Sequence, residues 1–176
     1  MKLPLVLGIS GPIASGKDLA CGLIQKWQPR SALFRADEAA HEAYRKGKPL
    51  AKKLIQHFGN GIVGSHGEID RRKLGRVVFR EPRALRYLNR RTHPVIQKAF
   101  IEFIHRAKRK RIPLVIINAA LLHTIPLHSH VHFSWSIVAS EKIRLRRLVE
   151  QRKMTVDVAR LRMQAQRKIT FTCSLD

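Results

Sequence analysis

Two hydrophobic patterns alternate along the chain: continuous apolar runs and apolar positions at helical spacing. The first run, at residues 3–10, is bounded by a glycine-rich turn. This is typical of a strand buried on both faces, and we expect it to be the central strand of a sheet. The next segment, from about Gly16 to Pro29, repeats its apolar residues with a helical period, at Leu19, Leu23, Ile24 and Trp27. The chain therefore opens with a strand, a glycine loop and a helix.

The same two patterns predict the remaining elements. Apolar runs predict strands at residues 32–36, 112–117 and 131–138. Helical segments are expected within 39–58, from Asp70 as a capping residue, from Pro82, from Pro94, and at about 141–152 and 155–168. Residues 59–69 are rich in glycine and are expected to form turns. The alternation of strands and helices predicts an α/β fold with a parallel sheet between helical layers.

Length and composition favour one globular domain. The chain has 176 residues, of which 44% are hydrophobic, enough for a sizeable core. No apolar run approaches the roughly 20 residues of a membrane helix, and no cleavable leader is recognisable, so we expect a soluble, cytoplasmic protein. The two cysteines, Cys21 and Cys173, are far apart and outside any metal-ligand spacing. We expect both to be plain thiols.

Positive charge is the unusual bulk property. Thirty-five Lys and Arg against twelve Asp and Glu give a net charge of +23, which favours polyanionic partners. Residues 71–111 alone carry fifteen Lys or Arg against two Glu, an excess of thirteen. Nucleic acid is therefore an alternative partner. Against it, aromatic residues make up only 6% and are not interleaved with the basic residues along the chain.

The turn after the first strand carries a phosphate-binding pattern, Gly11-Pro-Ile-Ala-Ser-Gly16-Lys17. In such a loop the glycines let backbone amides point at phosphate oxygens, and the lysine bridges the terminal phosphates. The alternative is a glycine turn with a solvated Lys17. We predict a P-loop kinase fold in which ATP is bound by Gly11, Ala14, Ser15, Gly16, Lys17, Asp18 and Leu19.

Position 18 departs from the usual pattern, in which a Ser or Thr hydroxyl binds magnesium. Three interpretations of Asp18 stay open. Its carboxylate coordinates Mg²⁺ directly, or it repels the phosphates, or it only stabilises the start of the helix. Asp18 is accordingly the candidate metal ligand.

Further motifs follow the loop in a fixed order over almost the whole chain. They are Ala36-Asp37-Glu38-Ala39-Ala40-His41, Phe58-Gly59, Gly67-Glu68-Ile69-Asp70-Arg71 with Leu74, Val78-Phe79, Leu88-Asn89, Thr92-His93-Pro94-Val95-Ile96, Arg147-Leu148 and Ala165-Gln166. With this ordered set the chain resembles the dephospho-CoA kinase family. The resemblance implies ATP- and Mg²⁺-dependent phosphorylation of the ribose 3′-hydroxyl of dephospho-CoA, the last step of coenzyme A biosynthesis.

The resemblance also implies a domain organisation. We expect one P-loop kinase domain over residues 1–176, with its core at 1–37 and 112–140 and a helical acceptor-binding insertion at about 38–111. Lid helices are expected at about 141–168, and the C-terminus looks truncated relative to the family. We expect a monomer.

Three residues are the candidate catalytic groups. Lys17 holds the phosphates, and Arg147 matches the family's lid arginine. Phosphoryl transfer to a hydroxyl needs a carboxylate that orients or accepts the proton, and Asp37 is the candidate, after a strand expected beside the phosphate-loop strand. The alternatives are that Asp37 caps a helix and that Arg147 belongs to a solvated face. The candidate acceptor-binding residues are Asp70, Arg71, His93 and Leu121.

The chain departs from the family at several positions. The third strand is followed by Asn118-Ala119-Ala120-Leu121-Leu122, without the family's carboxylate and proline, and the second lid arginine is replaced by Gln151, with Arg152 one residue on. Asp70 is expected to cap its helix and orient Arg71, whereas His93 either caps a helix before Pro94 or contacts ligand. Two other functions stay open: another small-molecule or nucleoside monophosphate kinase, and a catalytically impaired nucleotide- or nucleic-acid-binding relative.

Overall fold

The computed structural model describes residues 3–120, 122, 125 and 127–167. Over these residues the chain alternates strands and helices. The strands are β1 (Leu5–Ser10), β2 (Ser31–Arg35), β3 (Leu114–Asn118) and β4 (Phe133–Ser136). The helices are α1 (Lys17–Trp27), α2 (Ala36–Ala43), α3 (Pro49–Phe58), α4 (Arg71–Arg80), α5 (Pro82–Arg109), α6 (Glu141–Glu150) and α7 (Val156–Arg167). Short 3₁₀ turns lie at Asn60–Ile62 and His128–His130. The predicted α/β alternation is confirmed.

The four strands form one parallel sheet with the order β2-β3-β1-β4. The strand before the phosphate loop, β1, is therefore central, as predicted. The expectation that the second strand lies beside it was wrong, because β3 pairs with both and separates them. Alternation of strands and helices predicts that strands are parallel, but the crossover helices leave open which strands become neighbours.

Helices pack on both faces of the part of the sheet that β1, β2 and β3 form. On one face Leu7, Ile9 and Ile116 pack with Cys21 of α1, and Leu33 lies against this cluster. The next residue, Phe34, points to the opposite face. Its ring lies 5.1 Å from Phe100 and 5.4 Å from Phe103, between ring centres, in the C-terminal part of α5. The sheet is therefore the middle of three layers.

The described chain divides into two compact units. The first contains the residues up to Ala36 and those from Phe100 onwards, and it holds the sheet. The second, Asp37–Ala99, is helical and has its own apolar core. That core is built from residues of α2–α5 and the intervening turns: Tyr44, Leu50, Ala51, Leu54, Ile62, Ile69, Leu74, Val78 and Ala84. The assignment of the whole chain to one domain with an insertion stays a prediction.

One predicted boundary was wrong: Pro94 does not begin a helix. It lies inside α5, which runs without a break from Pro82 to Arg109. A proline removes one helical hydrogen bond, but buried Ile96, Phe100 and Ile104 continue the apolar stripe of the helix on its far side. Their packing outweighs the missing bond. The possibility that His93 caps a helix at this point is therefore excluded.

Among the described helices, none has both the length and the continuous apolar character that crossing a bilayer requires.

Candidate functional site: the phosphate loop and its surroundings

The loop between β1 and α1 has a backbone that ordinary residues seldom adopt. Gly11 has φ 140° and Gly16 has φ 112°, both in the left-handed region that favours glycine. A Cβ on Gly11 would also collide with the carbonyl oxygen of Ile137. Ala14, with φ 61°, holds a left-handed conformation despite its side chain. The loop is thus bent into one specific shape that its two glycines permit.

Lys17 opens α1 and reaches back over the loop. Its Nζ donates to the carbonyl oxygens of Gly11 at 2.9 Å and of Pro12 at 3.0 Å. The ammonium is therefore held at the mouth of the loop, where the N-terminus of α1 adds a favourable partial charge for anions.

Two side chains from the last two helices also fix the loop. Arg147 of α6 donates from Nη1 to the carbonyl oxygens of Ala14 at 2.9 Å and Ser15 at 3.0 Å. Gln166 of α7 accepts a hydrogen bond from the amide of Ile13 through Oε1 at 2.6 Å. Because these bonds engage the loop backbone, they hold its conformation.

Apolar packing joins the same helices to the loop. Buried Leu148, Ala159 and Met163 of α6 and α7 form a cluster, and Ile13 and Ala14 pack against it. The loop therefore rests on the predicted lid helices as well as on the sheet.

Ser15 is the one loop residue with a buried hydroxyl. Its side chain is 4% exposed, and Oγ has no hydrogen-bond partner within the described residues. An unpaired buried hydroxyl is costly, so such groups are usually satisfied by a partner. A polar ligand in the loop would supply that partner.

Asp18 lies in the first turn of α1 and points towards β3. Its Oδ1 accepts a 2.7 Å hydrogen bond from Nδ2 of Asn118 at the end of that strand. Its Oδ2 lies 3.8 Å from Nη2 of Arg152, an exposed ion pair that contributes little. The helix itself is capped by Gly16 without a side-chain cap bond. The carboxylate is thus oriented by neighbours across the site.

Cys21 follows on the buried side of α1. Burial, and next the negative charge of Asp18, raise the pKa of its thiol to about 11. At neutral pH it is protonated, which agrees with the expected plain thiol.

Asp37 lies in the second unit, in the first turn of α2, and is exposed. Its charge acts on two neighbours that Arg71 also influences. Burial, followed by Arg71, lowers the pKa of His41, and Asp37 opposes this shift. Burial raises the pKa of Tyr44 to about 12. Asp37 and Arg71 therefore belong to one electrostatic neighbourhood.

The other candidate acceptor residues are distributed over the second unit. Asp70 is the N-cap of α4, as predicted, since its Oδ1 accepts from the amides of Arg72 at 2.7 Å and Lys73 at 3.1 Å. His93 is half-buried inside α5. Leu121 lies outside the described residues.

No group of three or more His, Cys, Asp or Glu side chains within the described ranges is arranged to hold a metal ion. Asp18 remains the candidate carboxylate for a metal at the loop.

Sequence reasoning missed the role of Asn118. It registered only that a carboxylate was absent there, whereas the structure pairs this amide with Asp18. The sequence contained a signal for this contact in two departures from the expected motifs. Asp18 stands where a hydroxyl is usual, and Asn118 stands where a carboxylate is usual. Read together, they place a carboxylate in the loop opposite an amide at the end of β3, and the two side chains are hydrogen-bonded.

Comparison with known proteins identifies the family. The family model "Dephospho-CoA kinase" matches residues 5–170. The chain is 32% identical to the dephospho-CoA kinase of Geobacillus kaustophilus over 93% of its own length and 81% of that protein. It is 27% identical to the dephospho-CoA kinase of Symbiobacterium thermophilum, covering 92% of this chain but only 66% of that longer protein.

Solved structures give the same result for the fold. A crystal structure of a Thermus thermophilus protein superposes with a TM-score of 0.73 at 27% identity, covering 93% of this chain and 81% of that one. Dephospho-CoA kinase from Campylobacter jejuni gives a TM-score of 0.60 at 20% identity with the same coverage, which supports the fold alone. The P-loop kinase fold expected from the sequence is thus confirmed, and the chain belongs to the dephospho-CoA kinase family.

Proposed function

We propose that this chain transfers the γ-phosphoryl group of ATP to the ribose 3′-hydroxyl of dephospho-CoA, giving coenzyme A. Membership of the family supports a kinase with this acceptor. The observation that carries the proposal is the loop itself: a strained phosphate-type turn with Lys17 and Arg147 both held against its backbone.

On the donor side, the proposed ATP site is the segment from Gly11 to Leu19. Its amides, with the N-terminus of α1, suit phosphate oxygens. The buried hydroxyl of Ser15 has no hydrogen-bond partner in the part of the chain that the structure describes, so it can donate to a bound phosphate. Lys17 already lies at the loop mouth, so its ammonium needs little movement to neutralise charge that develops during transfer.

We propose Asp18 as the protein ligand of Mg²⁺. Carboxylate oxygens are the ligands that this ion prefers, and about 67% of the Asp18 side chain is exposed. The bond from Asn118 fixes the orientation of the carboxylate. When bound, the ion would offset the negative charge of the phosphates.

On the acceptor side, we propose that Asp37 engages the ribose hydroxyl. An exposed carboxylate can accept the proton that leaves the hydroxyl as the new bond to phosphorus forms. Arg71 carries positive charge in the same neighbourhood, which suits an anionic acceptor. His93 and Leu121 are proposed to contact the acceptor, and Asp70 to hold the start of α4.

Arg147 is proposed to act from the lid. In the structure one nitrogen, Nη1, makes both bonds to the loop carbonyls, so the rest of the guanidinium can face a phosphate. An arginine so placed stabilises the charge of the transferring group and also links lid position to loop shape. A monomeric, cytoplasmic enzyme completes the proposal.

The deciding experiment measures ATP turnover by the purified chain with dephospho-CoA, nucleoside monophosphates or simple sugars as acceptor. We expect turnover with dephospho-CoA, and activity on the other acceptors alone would refute the proposal. Replacing Asp37 with Asn should lower kcat about a thousandfold. The matched control is Glu38→Gln on the same helix turn, and full activity of Asp37→Asn would exclude its catalytic role.

A further inference from the structure

The second unit contains an arginine-lined cavity of about 750 Å³, and its lining shares no residue with the acceptor contacts proposed above. We name it the arginine cavity. Its lining includes His57 and Phe58 from the end of α3 and, from the start of α5, Arg83, Arg86, Tyr87 and Arg90. Among the described residues that line it, Glu81 is the only acid, so the cavity carries a clear positive excess.

An aromatic stack forms one wall of the cavity. The rings of His57 and Tyr87 lie 3.5 Å apart between centres and are nearly parallel, at 10°. The edge of Phe58 braces both rings. Arg91 lies over Tyr87, 5.4 Å from the ring centre. His57 is exposed, so it ends this stack on the side of the solvent.

The arginines follow the helix in a regular row. Arg83, Arg86 and Arg90 are exposed and recur at spacings of three and four, so they share one face of α5. Seven residues separate the first from the last, a rise of about 10 Å along the helix axis. Such a row suits several negative groups in succession better than one isolated anion.

The fold brings basic and aromatic side chains together in one place. Basic and aromatic residues are not interleaved along the chain, but α3 brings His57 and Phe58 to the arginines of α5. Proteins that bind single strands combine a positive groove for the backbone with rings on which bases stack. Two phosphate-bearing small substrates also leave most of the net charge of +23 unexplained.

We propose that the arginine cavity binds single-stranded nucleic acid. A base stacks on the exposed face of His57, and successive phosphates lie along Arg83, Arg86 and Arg90. Contacts to rings and phosphates carry little sequence information, so binding is expected to be weakly sequence-selective and strongly salt-dependent. Duplex bases are already stacked and paired, so duplex DNA should bind less tightly.

The test is fluorescence anisotropy with a labelled mixed-sequence single-stranded DNA oligonucleotide, titrated with the full chain at several salt concentrations. We expect His57→Ala and Arg90→Ala each to weaken binding about tenfold. Arg90→Ala should in addition reduce the salt dependence, by about one unit in the log-log slope. The matched control is Lys52→Ala, which removes one exposed positive charge from α3 on a face away from His57.

Three results would overturn the proposal. Equal weakening by Lys52→Ala would mean that only overall charge is sensed. Tighter binding of a duplex with the same sequence would exclude stacking on His57. Displacement of the oligonucleotide by dephospho-CoA at concentrations near its KM would assign the cavity to the kinase acceptor. Turnover is measured on the same variants and should stay unchanged in His57→Ala, so failure of the kinase proposal is detected separately.

Discussion

The phosphate loop and the arginine cavity both present positive charge, but the chain constrains that charge differently. At the loop, Lys17 and Arg147 are held by backbone carbonyls at 2.9–3.0 Å. At the cavity, Arg83, Arg86 and Arg90 are exposed side chains along one helix. Hydrogen bonds to the backbone fix the positions of the two cations at the loop. At the cavity, the spacing along α5 sets the positions of the three arginines.

The difference matters because catalysis requires a cation in a fixed position, whereas binding of a flexible strand does not. Stabilising a transferring phosphoryl group requires a charge already in place, since reorganisation during the reaction raises the barrier. Following a flexible strand requires charges that can adapt to it. We therefore expect single substitutions at the loop to lower turnover strongly, and single substitutions at the arginine cavity to weaken binding only moderately.

Lys17→Ala tests the loop most severely. Removing the ammonium should lower kcat about a thousandfold, because developing charge on the phosphoryl oxygens loses a cation that is held at the loop. Steady-state turnover with dephospho-CoA measures the effect. Lys26→Ala, at an exposed position on the same helix, is the control and should retain activity. A loss below about tenfold in Lys17→Ala would show that the loop does not act on the transferred group.

Arg147→Ala should lower kcat/KM about a hundredfold, since it removes a cation of α6 and two bonds to the loop backbone together. The neighbouring Arg146→Ala is the matched control. Arg146 lies on the same helix, and its exposed contact with Glu150, at 4.0 Å, is weak. Similar losses in both variants would mean that the overall charge of α6, rather than the contact to the loop, sustains activity.

Asp18→Asn tests the proposed protein ligand of Mg²⁺. The neutral amide keeps the shape of the side chain but binds Mg²⁺ less well, so the Mg²⁺ concentration for half-maximal turnover should rise about tenfold. Asp157→Asn, an exposed acid in the first turn of α7, serves as the control. A fall in the Mg²⁺ requirement, with tighter nucleotide binding, would instead show that Asp18 repels the phosphates.

The sequence predicted the individual helices and strands better than it predicted which strands are adjacent in the sheet. Apolar runs locate all four strands, because the preference for an extended conformation is encoded within each segment. The position of β3 between β1 and β2 depends on how the crossovers pack, and no local pattern encodes it. Pro94 misled for the opposite reason: a local rule was overridden by packing on both sides of the proline.

The candidate site was predictable to a similar degree. Glycine spacing locates the loop, since only a few backbone shapes cradle phosphate. The partners that come from distant segments were not predictable: Asn118 at Asp18, and Gln166 at the amide of Ile13. The stack of His57 on Tyr87 is of the same kind, because thirty positions separate the two rings along the chain. Such contacts depend on the completed fold.

The smallest effect is expected at Asp70, whose carboxylate caps the start of α4. The amides of Lys73 and Arg72 donate to its carboxylate and lower its pKa below 3.8. A folded-state pKa that is depressed contributes stability above the unfolded value, and this contribution is lost as the pH falls through the folded value. Asp70→Ala should therefore lower the thermal midpoint at neutral pH, and the gap to the parent chain should close below about pH 4.

Asp70→Asn separates charge from capping, because asparagine also caps helices but does not titrate in this range. Its midpoint should stay above that of Asp70→Ala at every pH, measured by circular dichroism from about pH 6 to about pH 3. If the gap between the parent chain and Asp70→Ala persists unchanged in acid, the bonds from Arg72 and Lys73 do not depend on the ionised carboxylate. In that case Asp70 would stabilise α4 through the geometry of its capping bonds and not through its charge.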